Sequence, residues 1–71
     1  MYKIIANKKQ LESIGISRDI SNILINKIIK KYRTGYVRIS VEPEEEIKNI
    51  LGNKAVNEEY DIPINYLEEI K

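Results

Sequence analysis

The chain has 71 residues, 12 of them Lys or Arg and 11 Asp or Glu, for a formal charge of +1, and it contains neither cysteine nor histidine. A single small domain is expected, with a core so limited that packing must be efficient or the chain must self-associate. Disulfides, thiolate or imidazole metal ligands and a Cys/His nucleophilic pair are excluded, which fits a reducing, cytoplasmic setting.

The remaining carboxylates, Asp19, Asp61 and the glutamates, have no spacing that would gather them in one pocket. The expectation is therefore a protein that is not an enzyme, with no catalytic residue, no metal and no cofactor. No apolar run approaches the roughly 20 residues that span a bilayer, and Met1 to Ala6 is too short for a secretory signal, so a soluble intracellular protein is expected. Abundant Ile, Lys and Asn are what an AT-rich coding sequence produces, as in a low-GC bacterium or its phages and mobile elements.

In chain order, residues 2–6 are β-prone and read as a short edge strand. Asn7 can cap a helix, with Gln10 completing a capping box and Leu11 and Ile14 forming its apolar stripe. Gly15 suits the left-handed residue that closes the helix, and Ser17 stands ready to cap the next one. The spacing then predicts a long helix from Arg18 to Arg33, making residues 7–33 a helix-turn-helix. On that helix Ile20, Ile23, Leu24, Ile25, Ile28, Ile29 and Tyr32 would cover well over half the circumference. Lys30, Lys31 and Arg33 would complement the exposed carbonyls of its last turn, before Thr34-Gly35 ends it.

Tyr36 to Val41 alternates in the manner of a strand, with Val37, Ile39 and Val41 on one face. Pro43 then suits the start of a helix, Glu44, Glu45 and Glu46 its first turn, Ile47, Ile50 and Leu51 its apolar stripe, and Gly52 its end. The acidic run thus has an ordinary helix-start explanation, and metal binding is the weaker reading. Residues 53–59 read as a loop, Tyr60 to Ile62 as a second strand, and Pro63 as the opening of a terminal helix with Ile64, Leu67 and Ile70 on one face. The fold expected is α+β, mostly helical with a two- or three-stranded sheet. Its core would hold Leu11, Ile14, Ile16, Ile20, Leu24, Ile28, Val37, Ile39, Ile47, Ile50 and Leu67.

Charge is distributed unevenly. Residues 1–38 hold nine Lys/Arg against two acids, +7, and residues 39–71 three Lys against nine acids, −6. Such asymmetry points to nucleic-acid contact by the basic half, or to mutual attraction of the two halves in the fold.

Leu11-Glu-Ser-Ile-Gly-Ile-Ser17, Gly35-Tyr36 before a strand, and Ile62-Pro-Ile-Asn-Tyr-Leu-Glu-Glu-Ile70 together resemble the small winged helix-turn-helix proteins of phages and integrative elements, excisionases among them. Residues 42–58 stand where such proteins have a short wing tip, and Leu11 and Ser21 where they prefer alanine and an aliphatic. The resemblance implies a duplex-DNA-binding regulator whose helix 18–33 reads the major groove, with Ser17, Arg18, Ser21 and Asn22 at base edges. Lys8, Lys9, Lys27, Lys30 and Arg38 would meet phosphates. The leftover apolar surface of the long helix, including Ile25, Ile29 and Tyr32, predicts a homodimer. The competing reading is a phage-encoded inhibitor or dimeric adaptor for a host protein, its acids at 42–46 and 58–61 mimicking nucleic acid.

Overall fold

Asn7 starts the first helix as its spacing predicts. In the computed structural model, which describes residues 1–71, its Oδ1 accepts from the Gln10 N–H at 2.8 Å, and Gln10 Oε1 accepts from the Asn7 N–H at 2.9 Å. This closed capping box opens α1 (Lys8–Ser13), and Gly15 follows at φ +91°. Leu11 is the one buried residue of α1.

The long helix predicted for residues 18–33 is absent, and with it the helix-turn-helix. Asp19 Oδ1 accepts from both the backbone N–H and the hydroxyl of Ser21, at 3.1 and 2.6 Å. This local bond gives the backbone an alternative to helix. Asn22 then sits at φ 63°, the left-handed region that asparagine tolerates better than most residues. Beyond it the isoleucine-rich run forms two short strands, β2 (Leu24–Ile25) and β3 (Ile28–Lys31), consistent with the preference of β-branched side chains for extended backbone. An apolar surface too wide for one helical face was the mark of a wrong period.

Six strands form two antiparallel sheets. The first has the order β2-β1-β6, with β1 at Tyr2–Ile4 and β6 at Leu67–Glu69. The second has the order β3-β4-β5, with β4 at Tyr36–Val41 and β5 at Glu58–Pro63. Strand residues make up 34% of the chain and helical residues 27%, so the fold is not the mostly helical winged helix-turn-helix expected. Residues 2–4 do form a strand, but a central one, paired on both sides. The predicted terminal helix is also missing. Pro63 leads only into a 3-10 turn (Ile64–Tyr66), after which β6 pairs with β1. Ile5 N–H to Tyr66 O and Ile70 N–H to Met1 O, both 2.9 Å, tie that segment to the chain's start. The strand at β4, the strand around Tyr60–Ile62 and a helix α2 (Glu45–Leu51) stand where the pattern placed them.

The chain passes between sheets at Asn26-Lys27 and again at the 3-10 turn, so the two sheets share one core. Ile4, Ala6, Leu11, Ile16, Ile20 and Ile25 meet Val37, Ile39, Val41 and Ile62 there. Of the expected core, Leu24, Ile47 and Ile50 are exposed, because strand alternation turns Leu24 away from Ile25 and α2 buries none of its residues. Ile14, Ile28 and Leu67 pack partly buried at its edge.

Candidate nucleic-acid interface

The β3-β4 hairpin, with Lys27 just before it, carries five of the nine cations of the basic half. No acid lies between Asp19 and Glu42, while Lys27, Lys30, Lys31, Arg33 and Arg38 all fall in that interval. The turn closes through Tyr32 N–H to Tyr36 O at 2.8 Å and Gly35 N–H to Tyr32 O at 3.2 Å. Gly35 at φ +88° supplies the left-handed residue that a three-residue hairpin loop needs. Its carbonyl accepts from the Ile64 N–H at 2.8 Å, fixing the hairpin tip to the crossover between sheets.

Because β3 pairs only with β4, its other edge is free. Lys27, Lys30, Lys31 and Arg33 are exposed along this edge and at the hairpin tip. None of the four lies within ion-pair distance of a carboxylate, whereas Arg18, Arg38 and Lys48 are each paired. From Lys27 to Arg33 the extended backbone spans at most about 20 Å. The register shifts between Ile28 and Lys30, leaving Ile29 exposed at the irregularity. Cations on a free edge also keep it from pairing with another strand.

The outward face of this sheet carries Lys30, Tyr32, Tyr36, Arg38 and Asp61. The Lys30 ammonium lies 5.0 Å from the centre of the Tyr32 ring, within cation–π reach. Arg38 is opposite Asp61 in the ladder and binds it with two hydrogen bonds, Nε at 2.9 Å and Nη2 at 3.1 Å. The hydrogen bonds from Arg38 hold the Asp61 carboxyl below its ordinary range, and Asp61 pushes the guanidinium further up.

The predicted base-contact residues do not form a reading surface on a helix. Ser17 is exposed in the loop after α1, Ser21 is bonded to Asp19, and Asn22 occupies the turn. Arg18 points inward, its side chain only 15% exposed, with Nε 3.4 Å from Glu44 and Nη1 3.2 Å from Glu58. Nη1 is itself buried and makes no hydrogen bond, so its contact with Glu58 is an ion pair. Tyr60 donates its hydroxyl to Glu58. That bond and, after it, Arg18 lower the Glu58 carboxyl, while burial and Glu58 raise the Tyr60 phenol.

Among the expected phosphate contacts, Lys8 and Lys9 stand exposed on α1, apart from the hairpin in the chain, with Lys8 4.0 Å from Glu12. Lys27 and Lys30 belong to the basic edge, and Arg38 is committed to Asp61. Of the expected dimer residues, Ile25 is buried in the protein's own core, Ile29 is exposed and Tyr32 half-buried. Lys31 and Arg33, which the sequence pattern explains as the cationic end of a helix, instead extend the basic edge. The acid-free interval around them was the signal that could have grouped them.

The only cleft, about 220 Å³, is open and lined by Leu24, Ile25, Asn26, Lys27, Ser40, Glu42 and Asn57. It is smaller than usual small-molecule sites, and no group of three acidic side chains is placed to hold a metal. No helix is long and apolar enough to cross a membrane. No protein-family model, curated protein or solved structure matches the chain.

Proposed function

We propose that the chain binds duplex DNA in the cytoplasm through the basic edge of the β3-β4 hairpin, with phosphate contacts dominating. The observation that carries this reading is the set of four exposed cations, Lys27, Lys30, Lys31 and Arg33, that the fold leaves without acidic partners. Strands are as able as helices to lie along DNA, and a hairpin tip can approach either groove. Arg33 and Tyr36 at the tip are the residues best placed to reach past the phosphates.

The competing reading of acidic mimicry has less support. Glu42, Glu44, Glu58, Glu59 and Asp61 are each within ion-pair distance of Lys48, Arg18 or Arg38, which leaves only Glu45 and Glu46 of that set unpaired. An acidic surface whose carboxylates are already neutralised attracts a DNA-binding enzyme poorly.

Fluorescence anisotropy with a labelled duplex, measured across a salt series, tests the proposal. Counterion release predicts a linear fall of log K with log salt, and replacing Lys30, Lys31 or Arg33 singly by Ala should each lower the slope by about 0.9. Lys71→Ala, at the far end of the chain, should leave it unchanged. A wild-type protein that binds no duplex at low salt, or a triple Lys30→Ala, Lys31→Ala, Arg33→Ala variant that binds like wild type, would overturn the reading.

A further inference from the structure

Helix α2 is amphipathic yet buries none of its residues. Ile47, Ile50 and Leu51 form one i, i+3, i+4 stripe and are 40%, 78% and 46% exposed, and Val56, just beyond the following 3-10 turn, is 76% exposed. A seven-residue helix is marginal by itself. Here it is anchored by the buried Pro43 before it and by Lys48 bridging back to Glu42 at 2.7 Å, neither of which covers the stripe.

We propose that α2 is a self-association surface on which two copies of the chain pair their helices antiparallel about a two-fold axis. The charges on the helix select this occupant. Glu45 and Glu46 stand without an intrachain ion pair at its N-terminal end, while Lys54 does so in the 3-10 turn beyond its C-terminal end; Glu44 and Lys48 are held within the chain by Arg18 and Glu42. Antiparallel pairing places Glu45 and Glu46 of each copy beside Lys54 of the other and opposes the two helix dipoles; parallel pairing stacks acid on acid. Lys54 has no acidic partner within its own chain, so it is free to meet Glu45 or Glu46 of a second copy. The same glutamates repel nucleic acid and anionic lipid, which sets this face apart from the basic hairpin. An isologous contact makes every such pair twice and closes at two copies.

Sedimentation equilibrium of the full chain over the micromolar to high-micromolar range tests the pairing. The wild type should pass from its monomer mass of 8.3 kDa to twice that value as concentration rises. Ile50→Glu, at the most exposed position of the stripe, should raise the dissociation constant at least about tenfold while circular dichroism stays unchanged. Lys54→Glu should weaken pairing, and adding Glu45→Lys to it should restore it, a rescue that a merely structural role for α2 would not produce. Ile29→Glu, on the basic edge, should have no effect. A monomer mass at all concentrations, a dimer indifferent to both Ile50→Glu and Lys54→Glu, or growth beyond two copies would overturn the proposal. None of these outcomes depends on whether the hairpin binds DNA.

Discussion

Leu11 and Leu24 are the same residue in opposite circumstances. Leu11 is wholly buried between α1 and the sheets, whereas Leu24 is 55% exposed. Leu11→Ala should therefore cost about 2–5 kcal/mol, the lost transfer energy plus a cavity, and can unfold a domain this small. Leu24→Ala should stay within about 1 kcal/mol, since most of its surface is already wet. Urea denaturation of the two variants checks the pair, and equal losses would contradict the strand assignment at residues 24 and 25. The alternation of buried Ile25 with exposed Leu24 cannot be seen from composition, because both are aliphatic. Only the direction of each side chain from the pleat separates them.

At the scale of elements, the segment 18–33 shows how a few polar residues redirect an aliphatic run. Asp19 turns the chain onto Ser21, and Asn22 takes a left-handed conformation from which a β-branched residue is sterically disfavoured. Asn22→Val should cost about 1–2 kcal/mol, while Asn22→Gly should be close to neutral. Thermal melts of the two variants measure this, and a stabilising Asn22→Val would contradict a left-handed residue there. The turn is held from outside as well. Asn22 N–H donates to Ile4 O at 3.1 Å and Ile4 N–H to Ile23 O at 3.0 Å, so β1 draws the following residues into its sheet. Hydrogen bonds to a strand some 20 residues away in sequence carry no local signature.

Across the whole molecule, the opposite charges of the two halves meet in part. Arg18 with Glu44 and Glu58, and Arg38 with Asp61, tie the basic half to the acidic one, as the asymmetry of the sequence allowed, while Lys27, Lys30, Lys31 and Arg33 remain outside these pairs. Glu58 and Asp61 are held below their ordinary pKa in the fold. A depressed carboxyl contributes stability above its unfolded value, about 4.3 for Glu and about 3.9 for Asp, and that stability is lost as pH falls through the folded value. The thermal midpoint should therefore hold steady from neutral pH down to about 5 and decline below it, with no histidine to add a transition in between. Glu58→Gln should flatten the acid limb. A midpoint that rises on acidification, or an unchanged limb in Glu58→Gln, would contradict the roles of these pairs.

The sequence by itself determined the features whose causes are local. Asn7 and Gln10 cap each other within one turn, Gly15 marks a left-handed position, Val37, Ile39 and Val41 alternate with polar neighbours, and Glu45, Glu46 and Gly52 bound a short helix, all within a few residues. The charge imbalance between the halves was equally plain. What the tertiary structure decided was the period of residues 18–33, the strand in place of a terminal helix, and the fate of each cation. An isoleucine-rich run satisfies either a helix or a strand until a partner strand offers it backbone hydrogen bonds. For residues 24–25, 28–31 and 67–69 those partners are β1 and β4. A cation likewise becomes half of an ion pair, as at Arg18, or a free charge, as at Arg33, according to what distant residues the fold brings beside it.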